Sequence, residues 1–230
     1  MWAGRVTINN LSDDVLLHIF HFVRVTYLDR LGDVSRLWPL SWWHRLVHVC
    51  RGWRSVVFAS LNSLDLRLSC GPRTRVELIG IWPPFPIVIT NKCDWSIPED
   101  YDFDAAFAHR NRVREIVLFH IKSSQLQRAV SAMQEQFPAL IHLMLDFTAN
   151  YSPVPAPALP DGFLGGSTPC LQSLGLQFIP FPALPKLLLS ATDLVRLSLW
   201  NIPRSGYISP EAIVTALAVF GQPQNSHHWI

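Results

Sequence analysis

Two hydrophobic rhythms alternate along this 230-residue chain. The first is helical. In LSDDVLLHIFHFV, residues 11–23, Leu16, Ile19, Phe20 and Val23 share one face at i, i+3, i+4, i+7 spacing. Ser12 precedes them as an N-cap, and Asp13 and Asp14 fall in the first turn, where the helix dipole favours negative charge. Val15, Leu17 and Phe22 make the remaining surface apolar as well, so this helix needs more than one partner. Residues 24–42 carry aromatic and basic side chains without a period and read as a loop or a short extra helix ending near Pro39. In LVHVCRGWRSVVF, residues 46–58, the helical rhythm returns. Leu46, Val49, Cys50, Trp53 and Val57 predict one continuous helix with a single apolar stripe.

The second rhythm begins after residue 60. The pattern LxxLxL occurs as Leu140-Leu143-Leu145, Leu171-Leu174-Leu176 and Leu194-Leu197-Leu199. Val113-Ile116-Leu118 and Leu61-Leu64-Leu66 fit it, and Ile87 and Ile89 fit from Pro84. The units start at 61, 84, 113, 140, 171 and 194, with spacings of 23, 29, 27, 31 and 23. These sit in or just beyond the leucine-rich-repeat range of roughly 20–29 residues. Each unit offers one short strand whose leucines are buried only by stacking on its neighbours. Helices are predicted between strands. Ser124 with Gln127 makes a capping box before the stripe Leu126, Val130, Met133 and Phe137. Ser209-Pro210 opens a last helix with Ile213, Leu217 and Phe220, stopped by Gly221 and Pro223. YSPVPAPALPDGFLGGS, residues 151–167, is expected to be a loop.

Composition narrows the choices. With 49% apolar and 16% charged residues, the chain has enough side-chain area to build a core. The longest apolar stretch, IGIWPPFPIVI, residues 79–89, holds three prolines and is too short for a bilayer. The N-terminus lacks the apolar segment of a signal peptide. The expectation is a soluble protein of the cytoplasm or nucleus, with no membrane partner. Residues 1–75 contain ten arginines against five aspartates, a basic region suited to an acidic partner.

The chemistry of catalysis has little foothold. Cys50, Cys70, Cys93 and Cys170 form no CxxC pair, so neither a zinc site nor a disulfide framework is expected. Cys50 shares a stripe with Trp53 and reads as a buried thiol rather than a nucleophile. His44 and His48 have metal-ligand spacing, but HRLVH lacks the glutamate of a zinc protease. GFLGGS lacks the lysine of a phosphate loop and reads as a turn. There is no GxSxG elbow. The arginines scatter over several faces, against a nucleic-acid surface. No catalytic residue, metal or cofactor is expected.

One resemblance gathers these parts. INNLSDDVLLHIF followed by LVHVCRGWRSVVF resembles the two halves of an F-box, with Leu11, Asp13, Asp14, Val15, Leu16, Leu17, Ile19 and Phe20 in the first and Val49, Cys50, Trp53 and Arg54 in the second. The whole resembles fungal F-box proteins with leucine-rich-like repeats. Ser12 stands where proline is common, and the spacer 24–42 is longer than usual. The resemblance implies a small helical F-box at 8–58. A leucine-rich-repeat-like solenoid with short parallel strands would follow at 59–230, an α+β or α/β chain. Its tail GQPQNSHHWI is a weak cap, as in a shortened member or a fragment.

The implied function is non-catalytic: the substrate-recognition subunit of an SCF-type ubiquitin ligase. Leu11, Val15, Leu16, Ile19, Phe20, Val49, Cys50 and Trp53 would form the module that docks on a Skp-family adaptor and, through it, a cullin scaffold. The repeats would hold an unidentified substrate protein. Strand alternation points Glu115, Val117 and Phe119, then His142, Met144 and Asp146, then Ser173, Gly175 and Gln177, then Arg196, Ser198 and Trp200 away from the leucines. Among these, Glu115, Phe119, His142, Met144, Arg196 and Trp200 are the candidate substrate contacts. The alternative is a repeat scaffold whose degenerate F-box no longer recruits a ligase.

Overall fold

A computed structural model describes residues 11–29, 42–72, 74, 76–91, 97–147 and 156–218. The chain divides into two compact units. The first comprises Met1–Ser69 and Glu77–Pro86, the second Cys70–Val76 and Ile87–Ile230. The fold is α+β.

The first unit is helical. Helix α1, Asp13–Asp29, begins where the Leu16 N–H donates to Ser12 O at 3.0 Å. It runs six residues past the predicted end at Val23, into the segment read as spacer; residues 30–41 lie outside the described residues. Leu16 and Phe20 are buried, while Val15, Ile19, Phe22 and Val25 are exposed.

The predicted continuous helix over 46–57 is two helices. Helix α2 is His44–Val47 and α3 is Arg51–Ala59. Cys50 between them is extended (φ −158°, ψ 173°) and caps α3, its Sγ accepting from the Trp53 N–H at 3.5 Å. Arg54 Nε donates to Val47 O at 2.9 Å, tying the end of α2 to α3. The stripe misled because the three-residue break at 48–50 left both halves with helical spacing. Val49, predicted on the buried stripe, is exposed, whereas Leu46 and Val57 are buried.

The core of this unit is aromatic. Trp43 is fully buried and its Nε1 donates to Arg67 O at 3.1 Å. Its ring meets Phe85 edge-on at 5.1 Å and Trp82 at 5.3 Å. His44 stacks on Trp82 at 5.4 Å, and burial followed by the nearby His48 lowers its pKa. Such ring pairs add about 0.5–1.5 kcal/mol each beyond their area. Arg24 and Arg67 both bond Asp65, but these exposed pairs contribute only about 0–1 kcal/mol.

The second unit carries most of a parallel open sheet whose order follows the chain, β1 to β6; only Leu68 and Ser69 of β1 are assigned to the first unit. The strands are β1 Leu68–Cys70, β2 Ile87–Thr90, β3 Val113–Ile121, β4 His142–Phe147, β5 Ser173–Gln177 and β6 Arg196–Trp200. The predicted first strand at 61–66 is a correction. Residues 61–65 turn, Leu64 and the following Leu66 are buried, and the strand begins at Leu68.

Helices α4 Phe103–Phe107, α5 Ser123–Ala132, α6 Leu184–Leu188 and α7 Pro210–Ala218 intervene or follow. Right-handed crossovers, the rule for parallel strands, favour helices on one side of a sheet with sequential strand order. The N-cap of α5 is Lys122, two residues before the predicted Ser124. Gln125, not Gln127, reaches back, its Oε1 accepting from Lys122 N–H at 3.0 Å. Leu126, Val130, Met133 and Phe137 are buried as expected. Ser209 caps α7, its Oγ accepting from Ala212 N–H at 3.2 Å. The side chain of Leu217, and Phe220, Gly221, Pro223 and the tail, lie outside the described residues.

Of the predicted loop, residues 151–155 lie outside the described residues and 163–166 form a short turn. Gly165 (φ 66°) packs so closely on Gln136 that a Cβ would clash.

Candidate binding surfaces

Strand register aligns the repeated leucines. Ile116, Leu143, Leu174 and Leu197 form one transverse row, and Leu118, Leu145, Leu176 and Leu199 the next. In β3, β4 and β5 these residues are at most 2% exposed. In β6, Leu197 and Leu199 are half-buried, because β6 is the last strand in the order.

The intervening residues make rows on the opposite face. One row is Val88, Glu115, His142, Ser173 and Arg196. The second is Thr90, Val117, Met144, Gly175 and Ser198, and the third contains Asp146, Gln177 and Trp200. Exposure is graded along them. Val88 and Glu115 are buried, His142 and Ser173 half-buried, and Arg196 exposed; Trp200 ends its row at 48%. The face is therefore closed at β2 and β3 and opens toward β6.

Several predicted contacts change character. Glu115 lies in the expected row but is buried, at 7% exposure. It acts on His142, whose pKa is lowered chiefly by burial, with Glu115 opposing the shift and Arg196 adding to it. Phe119 is half-buried and has no register partner in β4. Register slips between Leu118 and Ile121, and His120 adopts φ 53°. His120 then lies 3.8 Å from Asp146 in the third row. Burial raises the Asp146 pKa and His120 counteracts it. The Phe119 backbone is held from both sides by the buried Asn91, whose Oδ1 accepts at 2.8 Å and whose Nδ2 donates to Phe119 O at 2.7 Å. A fully buried asparagine that satisfies two backbone groups is a structural clamp. Its signal in the sequence is slight: one polar residue following the IVIT strand.

Met144 is half-buried, and its thioether fills the space above Gly175, where a Cβ would collide with Sδ. Gly175 is needed here for room, since its backbone is ordinary strand.

The other candidate surface is on the first unit. Phe20 of α1 meets Trp53 of α3 at 4.9 Å between centroids, inclined 62°. Leu11, Asp13, Leu16, Cys50, Arg51, Gly52 and Trp53 line a cavity of about 410 Å³ beside this contact. Leu11, Leu16, Cys50 and Trp53 are thus brought together, with Phe20 beneath. Val15, Ile19, Phe22 and Val25 form a separate stripe on the outer side of α1, 44%, 37%, 72% and 52% exposed. Val49 is exposed on the turn between α2 and α3.

Thiol chemistry finds no support at Cys70, which is fully buried and whose pKa is pushed up to about 11 by that burial, the Tyr101 hydroxyl opposing. Among the described residues no cluster of three metal-ligating side chains occurs, and no helix is long and apolar enough to cross a membrane.

No family model, curated protein or solved structure matches this chain.

Proposed function

We propose that this chain is a substrate-recognition subunit of an SCF-type ubiquitin ligase, with an F-box in its helical unit and a leucine-rich-repeat-like sheet unit. The observation that carries the reading is the outer stripe of α1. Four apolar side chains at 15, 19, 22 and 25 remain exposed on a helix whose other side is already packed through Phe20 and Trp53. A helix apolar on two sides needs a second partner, and a helix-binding adaptor of the Skp family supplies one. The leucine rows suit a repeat unit whose coils bury one another, and the open rows from His142 to Arg196 and Trp200 suit capture of a substrate protein. Such a receptor contributes proximity, raising the local concentration of substrate lysines at the transfer site.

The test is complex formation between the purified full chain and a Skp-type adaptor, followed by titration calorimetry. Wild type is expected to bind. Ile19→Asp and Val15→Asp are expected to weaken binding at least about tenfold by placing a charge in an apolar contact, with unchanged circular dichroism because both side chains are exposed. No complex at tens of micromolar would overturn the reading. Adaptor binding without cullin-dependent ubiquitin transfer would point to the scaffold alternative.

A further inference from the structure

The last strand carries a pattern that pairs with itself. β6 ends the sheet among the described residues, and it holds apolar surface that its neighbours do not expose. Leu197 and Leu199 are half-buried where Leu174 and Leu176 are fully buried, and Val195 is 89% exposed.

Its hydrogen-bonding groups can be sorted by edge. Arg196 N–H donates to Gln172 O at 3.0 Å, and Trp200 O accepts from Phe178 N–H at 2.9 Å. Positions 196 and 200 therefore turn toward β5. Successive strand residues turn their N–H and C=O to opposite edges, so 198 also serves β5, while Leu197 and Leu199 present theirs at the free edge. A free edge of this kind is a template for another strand.

We propose that β6 pairs antiparallel with β6 of a second copy, about a two-fold axis at Ser198. The register follows from the residues. Centred on Ser198, the pairing sets Leu197 opposite Leu199 of the second copy. Each such pair exchanges two backbone hydrogen bonds, using the groups free at the edge, and the two pairs meet leucine to leucine. Arg196 falls opposite Trp200 of the second copy, and Trp200 opposite its Arg196. These are non-hydrogen-bonded positions, where side chains approach most closely, and a guanidinium over an indole is a favourable cation–π pair. Each copy offers the same patch, as a closed two-fold dimer requires. Moving the axis to Leu199 would set Trp200 opposite Ser198, Leu197 opposite Asn201 and Arg196 opposite Ile202, losing both ring–guanidinium pairs and one of the two leucine pairs. The pairing continues the leucine-free face of one copy into the other, whatever adaptor the helical unit binds.

Sedimentation equilibrium of the full chain is expected to show concentration-dependent dimers. Ser198→Cys should form a disulfide-linked dimer on mild oxidation, well above the background from the native cysteines, because antiparallel non-hydrogen-bonded positions approach within disulfide reach. Arg196→Cys, which faces Trp200 rather than itself, should not. Trp200→Arg sets arginine against arginine twice and should weaken dimerisation roughly tenfold or more. Adding Arg196→Glu restores opposite charges at the same positions and should recover it. Monomer up to about 100 µM with no extra Ser198→Cys cross-linking, or failure of the charge exchange to recover the dimer, would overturn the proposal.

Discussion

The central strands and the last strand are built from the same sequence pattern and end in different states. Leu174 in β5 and Leu197 in β6 occupy equivalent positions in one row, yet the first is fully buried and the second half-buried. The residue type, the strand and the following helix are shared. Only the neighbour on the far side differs. In an open parallel sheet, burial of a strand's apolar row depends on the neighbours on both of its sides and not on the strand itself. The same holds on the opposite face, where Glu115 is closed in and Arg196 open although register places them in one row.

That comparison can be broken most directly by truncation. Leu174→Ala is expected to destabilise by about 3–5 kcal/mol in chemical denaturation, through lost transfer energy and a trapped cavity. Leu197→Ala should cost about 1–2 kcal/mol, since part of the side chain is already in water. Equal losses would mean that the last strand is as well covered as the central ones. A smaller effect, about 1–3 kcal/mol, is expected for Gly175→Val, which drives Met144 from its place. Pairing it with Met144→Ala should recover part of that loss. Asn91→Ala should cost a comparable 1–3 kcal/mol, about what is expected when two buried backbone groups lose their partner, and it would show whether the β3 bulge needs its clamp.

Titration should give the smallest effect and sharpen the contrast across the face. His142 sits in the half-closed part of the row with its pKa depressed below the ordinary 6.5. Its contribution to stability is present above pH 6.5 and is lost as pH falls through the folded value. Asp146, raised above the ordinary 3.8, acts oppositely: its contribution is present below that value and lost as pH rises through the folded pKa. Denaturant midpoints from pH 7 to 5 should fall in wild type and fall less in His142→Gln. An identical slope in the two proteins would assign the acid sensitivity elsewhere, with His44 the next residue to substitute, because its pKa is also depressed.

Much of this architecture was legible in the chain. The first helix, the strands at 113, 140, 171 and 194 and the Ser209 cap follow from local rules: periodicity, β-branched and leucine-rich alternation, and capping chemistry. These features depend on residues close in sequence. The break at residues 48–50 escaped because apolar spacing survives a short interruption, and periodicity does not register φ and ψ. The aromatic core around Trp43 escaped because Trp82 and Phe85 reach it from about forty residues away. Among the candidate contacts, Phe119 falls at a register shift that a strict alternation cannot show.

Sequence by itself determined which residues are apolar and at what interval, and so most of the segments that become helix or strand. Tertiary structure alone decided which equivalent positions are covered. Burial depends on what lies on the far side of each strand, and no residue encodes its own neighbour. Leu143 and Leu197 read alike on paper; packing on both sides seals the first and leaves the second, with Trp200 and Arg196 beside it, at an open edge.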